Sequence, residues 1–345
     1  MEKYGYRFSF GPWNIHEGAD PFGPVVRPMR SFDEKLTVFQ ELGFDAVQFH
    51  DDDAVPNLDD LSAAQIAEKA REMRQKLEDH GLVAEFSAPR LWEHPNTIDG
   101  AFTSNNPQAR HYALERSKKA ADIARELGCN LMVLWLAREG TYLREAKDAA
   151  RATSQILEAV NTLLEYDQEL RIAIEPKPNE PMDMAYIPTI GHALTVAFQA
   201  TAPERVGALV ESAHAILAGL DPSDEMAFAL GFDKLYSVHL NDQNGLKFDE
   251  DRSFGSVDLR RAFNQVRVLD SHNYYEKGVV GLDVKAMRTQ PHEIATKHLR
   301  NSLQTFLRLI EIVRSMDQEK MDEMIAARDY EELDLFILNS LMGTH

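Results

Sequence analysis

Short β-rich runs alternate with longer amphipathic stretches along most of the chain. The strand-like runs are Tyr6–Phe10, Ala46–Phe49, Val83–Ser87, Leu131–Trp135, Arg171–Ile174, Val206–Leu209, Leu235–Leu240 and Val279–Asp283. Between them lie segments with helical spacing, among them Leu61–His80, Pro107–Leu127, Ala146–Tyr166, Asp224–Leu230 and Leu259–Leu269. Gly43, Gly81 and Gly128 each follow a helical run and precede a strand, where a left-handed helix stop belongs. Repeated β-then-α units imply a parallel sheet, and eight of them close a barrel. A doubly wound sheet of about six strands is the competing count, but no Gly-x-Gly-x-x-Gly follows the first strand. The expected fold is therefore α/β, a single (β/α)8 TIM barrel over residues 1–310 with a helical C-terminal tail over 311–345. Ile294–Val313 reads as a long helix, and Met316–Leu341 adds charged helical material. That tail either packs beneath the barrel or reaches onto another subunit.

Composition narrows the partners. The chain has 345 residues and a formal net charge of −19. An acidic surface repels nucleic-acid phosphates and anionic membranes, so neither is expected as a partner. Cys129 is the only cysteine, which excludes an intramolecular disulfide, and its place before an apolar strand predicts burial. The start, Met1 to Phe10, is short and polar, and no apolar stretch approaches the ~20 residues a bilayer span needs. A reducing, cytoplasmic setting is expected.

In a parallel barrel, chemistry sits at the carboxyl ends of the strands. Those ends carry His50, Asp51, Asp52 and Asp53, then Trp135 followed by Arg138 and Glu139, then Glu175 and Lys177. Glu211 and His214, His239 and Asn241, Asp249 and Asp251 on the loop beyond, and Asp283 and Lys285 follow. Glu175, Glu211, His214, His239, Asp249, Asp251 and Asp283 are oxygen or imidazole donors converging from consecutive strands. Carboxylates crowded so closely raise one another's pKa unless a cation neutralises them. Two divalent cations resolve the conflict, and the donor set suits Mg²⁺, Mn²⁺ or Co²⁺. Taken singly, Asp249 and Asp251 read as turn residues and His239 as a structural histidine. The register of the set across four strands raises them together. His16, His80, His94, His111, His272, His292, His298 and His345 lack such company and are expected to be structural.

These residues resemble the xylose isomerase family, especially its shorter, actinobacterial-type members, in collinear order over residues 6 to 310. The resemblance rests on Phe8-Ser9-Phe10-Gly11-Pro12-Trp13, Asp20-Pro21-Phe22-Gly23, Phe49-His50-Asp51-Asp52-Asp53 and Ala173 through Pro181. Pro188 through Ala193, Asn241 through Asp251 and Phe254-Gly255 add to it. Within it, Glu175-Pro176-Lys177-Pro178-Asn179-Glu180-Pro181 is highly specific. The resemblance implies that Glu175, Glu211 and Asp283 bind a structural metal, and that Glu211, His214, Asp249 and Asp251 bind a second. It implies that Lys177 hydrogen-bonds the substrate carbonyl and that His50, oriented by Asp53, serves ring opening. Trp13, Trp92 and Trp135 would line the sugar pocket. Phe22 would enter a neighbouring subunit's site, which implies a homodimer or homotetramer. The implied reaction is aldose–ketose isomerisation of a small sugar of the D-xylose to D-xylulose type. In it the C2 hydroxyl loses its proton to a base near Asp251, and a hydride shifts from C2 to C1. No organic cofactor is implied.

The chain also departs from the pattern. His239 stands where the family has an aspartate, as in rhamnose isomerases and ketose 3-epimerases, and an imidazole there moves preference away from Mg²⁺ toward Mn²⁺, Co²⁺ or Zn²⁺. Met182 replaces an arginine, Ala215 a glutamate, and Leu209-Val210 an Asn-Pro pair. Ala88 and Arg90 replace small hydroxyl and amide groups, with Arg90 expected to turn outward and pair with Glu93. The tail lacks the long extension typical of the family. Another sugar isomerase, an epimerase, or a metal- or sugar-binding barrel without turnover are the alternatives.

Overall fold

The structure, a computed structural model, describes residues 3–246 and 248–343. Met1, Glu2, Lys247, Thr344 and His345 lie outside the described residues, and with them the expectation for His345. Eight parallel strands form one closed barrel: β1 (Phe8–Phe10), β2 (Ala46–His50), β3 (Val83–Ala88), β4 (Leu131–Trp135), β5 (Arg171–Glu175), β6 (Val206–Glu211), β7 (Leu235–Leu240) and β8 (Val280–Leu282). Each strand pairs with its sequence neighbours, and β8 closes onto β1 with Gly281 opposite Ser9. Closure removes the doubly wound alternative.

A long helix follows each strand: α1 (Phe32–Leu42), α2 (Ala63–Asp79), α3 (Pro107–Leu127), α4 (Ala149–Tyr166), α5 (Ile190–Gln199), α6 (Pro222–Gly231), α7 (Leu259–Ser271) and α8 (Lys297–Ser315). Local chemistry sets their ends. Ser31 with Glu34 and Ser62 with Gln65 form reciprocal capping boxes, and Asn106, Asp148, Asp221 and Asp258 accept first-turn N–H groups. Gly43 and Gly128 stop α1 and α3 at φ 77° and 86°, a left-handed conformation that a side chain would strain. Cap positions also correct the expected bounds: the segment drawn from Leu61 starts at Ala63 because Ser62 caps it, and α6 starts at Pro222 behind Asp221.

Two apolar layers result. One fills the space between sheet and helices. The other, Phe86, Ala88, Leu131, Val133, Ala173 and Leu209, fills the barrel interior under Trp13. A bulge shapes the floor of that interior: Val47 pairs with Ala84 and Gln48 with Phe86, leaving Glu85 unopposed. Glu85 turns inward and accepts from Ser237 at 2.7 Å, from Gln48 at 3.2 Å and from Ser9. Beyond α8 the tail forms α9 (Gln318–Ala327) and α10 (Tyr330–Met342). Within one chain, Leu333, Phe336, Ile337 and Leu341 pack on the outer helical core. No described helix is long and apolar enough to cross a membrane.

Candidate metal centre and active-site pocket

The strand ends deliver their polar side chains to one cavity of about 780 Å³ at the carboxyl-terminal mouth of the barrel. Glu175 ends β5 and Glu211 ends β6, with His239 of β7 directly opposite Glu211. The short helix Ser212–Leu217 starts straight after Glu211, so His214 falls one turn on and faces the same way. Asp283 is the first residue past β8, and Asp249 and Asp251 sit on the loop after β7. Three sets of donor atoms each converge within 4.8 Å: Glu175, Glu211 and His214; Glu211, His239 and Asp283; Glu211, Asp249 and Asp251. Glu211 belongs to all three. Asn241 holds it there, donating to Glu211 at 3.0 Å and to Asp251 at 3.1 Å.

Burial and mutual charge pull these groups in opposite directions: burial would raise Glu175 and Asp249, but His239 lowers Glu175 to about 2 and Lys177 holds Asp249 well below the usual carboxylate range. Burial, and then the charge of Asp249, hold the Asp251 carboxyl well above the usual carboxylate range. Burial likewise pushes Glu211 up against the pull of His214. For His239, burial favours the neutral ring, but contacts with Glu175 at 3.7 Å and Glu211 at 3.4 Å outweigh it and raise its pKa. His214 is raised against its own burial by Glu211 and by Asp249 at 3.1 Å. His214 Nδ1, His239 Nε2 and Asp249 Oδ1 are buried without a hydrogen-bond partner. Buried lone pairs facing a cluster of carboxylates fit a divalent cation, and the nitrogen–oxygen donor set fits Mg²⁺, Mn²⁺, Co²⁺ or Zn²⁺.

Lys177 stands next to this cluster. Its Nζ lies 3.0 Å from Asp249 and 3.2 Å from Glu180, and 5.2 Å from the centre of the Trp135 ring. Burial alone would lower its pKa, but Asp249, Glu180 and Glu211 outweigh that and keep it an ammonium. Trp13, Trp92 and Trp135 form one wall, with Trp92 edge-on to Trp135 at 4.5 Å and Trp13 donating to Asp283 at 3.0 Å. Gly11 permits this: a Cβ there would meet the Trp13 ring at 2.2 Å. His50 lies 4.2 Å from Trp13 and 5.0 Å from Trp92, ring to ring, with Asp53 3.0 Å from its Nδ1. Phe22 is 85% exposed at the rim and does not line this cavity. Its nearest aromatic partner is Phe248 at 6.0 Å.

The xylose isomerase-like TIM barrel profile matches residues 36–309. The chain belongs to the xylose isomerase-like TIM barrel family. A xylose isomerase from Thermus thermophilus is 34% identical over 94% of this chain and 84% of its own length. Among solved structures, D-psicose 3-epimerase from Clostridium cellulolyticum H10 superposes with a TM-score of 0.62 at 13% identity, covering 89% of this chain and 99% of its own. The 3-keto-D-glucoside 4-epimerase of E. coli gives 0.61 at 16%, covering 88% and 99%. At such identities the two structures show the shared fold.

Three residues take places that the sequence did not mark. Arg90 does not simply turn outward to Glu93, which it meets at 3.4 Å. Its guanidinium is drawn inward to Asp52 at 2.7 Å, His50 at 2.8 Å and Asp53 at 3.3 Å, because two less exposed carboxylates on that side compete with the single, more exposed Glu93. His16, expected to be structural, sits in the cavity wall. Its Nδ1 accepts from Gly18 at 3.0 Å, and burial together with Lys285 pushes its pKa down to about 4. Glu85 carried no signal at all, since a bulge residue is invisible to strand periodicity.

Proposed function

We propose that this chain is a divalent-metal aldose–ketose isomerase acting on an open-chain sugar of the D-xylose type. The family relationship supports a sugar isomerase or epimerase. The observation that carries the finer reading is Lys177, an ammonium set between the carboxylate–imidazole cluster and the Trp135 face. Glu175, Glu211, His239 and Asp283 would hold one cation, and Glu211, His214, Asp249 and Asp251 a second. When bound, such cations supply Lewis acidity to the sugar's oxygens. Lys177 donates to O1 and stabilises the negative charge that builds there. The three tryptophans exclude water, so the hydrogen leaving C2 moves with its electron pair to C1 rather than exchanging with solvent. The C2–H bond breaks and the C1–H bond forms. The proton leaving O2 passes to a base beside Asp251, and O1 gains one. Phe22 of a second copy would complete the site, so the working form is a homodimer or homotetramer. Purified protein with Mg²⁺, Mn²⁺ or Co²⁺ should convert D-xylose or a related aldose to its ketose. Absence of conversion for every aldopentose and aldohexose with all three metals would sink this reading.

His239 favours a second reading, epimerisation of a ketose by proton transfer. The shorter Asp283 and the retained Lys177 weigh against it. Solvent deuterium incorporated at the reacting carbon would reverse that order.

A further inference from the structure

Ser9 of β1, Gly281 of β8 and His239 of β7 stand side by side in the barrel. Ser9 and Gly281 are too small to fill the interior at that level, and the Gln48 side chain reaches across from β2. A Cβ at Gly281 would collide with the Gln48 amide nitrogen and stand 3.1 Å from His239 Cδ2. The amide and the imidazole therefore share the space that the missing side chain leaves. Gln48 is fully buried there and His239 is 3% exposed.

The amide is oriented from the barrel floor. Gln48 Nε2 donates to Ser9 Oγ at 3.1 Å and to Glu85 Oε2 at 3.2 Å. Glu85 is itself held by Ser237, which donates at 2.7 Å, and by Ser9. Both amide protons are thus engaged. Gln48 Oε1 is the end left over, a buried acceptor with no hydrogen-bond partner among the described residues.

His239 presents the matching donor. Its Nδ1 is the ring atom turned to the carboxylates, 3.4 Å from Glu211 and 3.7 Å from Glu175. A nitrogen that coordinates a cation gives up its proton, so the proton of a ligating His239 sits on Nε2. That nitrogen is also buried without a partner among the described residues. A donor and an acceptor buried at one gap each carry a desolvation cost unless they meet. The second nitrogen of a metal-binding histidine is ordinarily held by such an outer group.

We infer that Gln48 is a positioning residue of the metal centre. Its Oε1 receives the His239 Nε2–H, directly or through one water, and so holds the imidazole with Nδ1 facing the cation. Glu85 and Ser9 fix the amide in the orientation this requires. Accepting that proton also makes Nδ1 the more basic donor. The inference rests on the metal centre of the proposed function and not on its sugar.

The test uses Zn²⁺-loaded protein labelled with ¹⁵N-histidine, with His239→Asp to assign the signal. Long-range ¹H–¹⁵N correlation spectra should show His239 Nε2 protonated, Nδ1 bare, and the Nε2 proton slow to exchange. Gln48→Met keeps the length and loses the carbonyl. It should move that proton upfield, speed its exchange and weaken Zn²⁺ binding roughly 10–100-fold. In His239→Asp, which has no Nε2–H, Gln48→Met should cost little further affinity, a non-additivity that general structural damage would not produce. Equal losses in both backgrounds, or an unchanged affinity in Gln48→Met, would overturn the inference. So would a wild-type His239 Nε2 without its proton, an outcome that needs no Gln48 variant to fold. A protein that binds no Zn²⁺ overturns it as well. One that binds Zn²⁺ but isomerises no sugar defeats only the isomerase reading.

Discussion

Single side chains decide how this site takes a cation. Without metal, burial holds Asp251 and Glu211 above their ordinary pKa, and neighbouring carboxylates raise His214 and His239 against their own burial. A raised pKa means the proton is held to a higher pH than in the free side chain, and that proton must leave before the lone pair can coordinate. Metal affinity should therefore rise with pH through the neutral range, and binding should release protons. Calorimetry of Mn²⁺ binding in buffers of different ionisation enthalpy measures the release directly; binding without proton release would contradict it. Glu211 is common to all three donor sets, so Glu211→Gln should weaken binding by more than the roughly 10–100-fold that loss of an outer-shell partner costs. His239 is one of the positions where the sequence departs from the pattern it resembles. His239→Asp restores a hard, charged oxygen donor and should shift preference toward Mg²⁺ relative to Co²⁺ and Zn²⁺. Competition titrations read that ratio, and an unchanged ratio would mean that His239 does not ligate.

At the level of elements, most of the barrel was legible because its signals are local. Apolar runs bounded by caps and glycine stops placed the eight strands to within two residues at each end. The convergence of Glu175, Glu211, His239 and Asp283 then follows from strand-end geometry. α5 was not among the stretches that the pattern picked out. For α5 the reason is visible: Ile190–Gln199 is apolar almost throughout and carries no side-chain N-cap. Register was the illegible part, because a bulge shifts it without leaving a sequence mark. The bulge at Glu85 makes its own prediction. Burial raises the Glu85 pKa above that of the unfolded chain, so the folded state holds the proton more tightly. Stability from this group is fully present below the unfolded pKa of ~4.3 and is lost as pH rises through the folded value. Glu85→Gln removes that loss while keeping a carbonyl for Ser237. Its melting temperature should gain on wild type as pH rises from 4 to 8, by a stability difference on the order of 1 kcal/mol. A gain that is flat with pH would mean the carboxyl never carries the strain assigned to it.

At the scale of the whole molecule, one of the apolar surfaces exposed among the described residues lies at the cavity mouth. Phe22, Val25, Val26 and Met29 are exposed along the segment at the cavity mouth, and Leu246 is exposed on the loop that also carries Asp249. Contiguous apolar surface at a functional rim marks an interface more often than chance exposure. In the oligomer proposed above, a second copy of the chain would cover this surface, with Phe22 as the anchor. Truncating a buried aromatic anchor typically costs about 2 kcal/mol or more, roughly a thirtyfold loss of affinity. Phe22→Ala should accordingly move the protein toward monomer in sedimentation velocity, and should lower kcat/KM if the anchor also completes the neighbouring site. Charge adds a second, independent signature. Each copy carries a formal net charge of −19, so two copies repel, and salt screens that repulsion over a Debye length of about 8 Å at physiological ionic strength. Apolar association is not weakened by the same salt, so the dimer should tighten from low to physiological ionic strength, and more so above it with sulfate than with chloride. An interface held by ion pairs would loosen instead. Sedimentation at two ionic strengths separates the cases, and loosening with salt would place the contact somewhere other than the Phe22 rim.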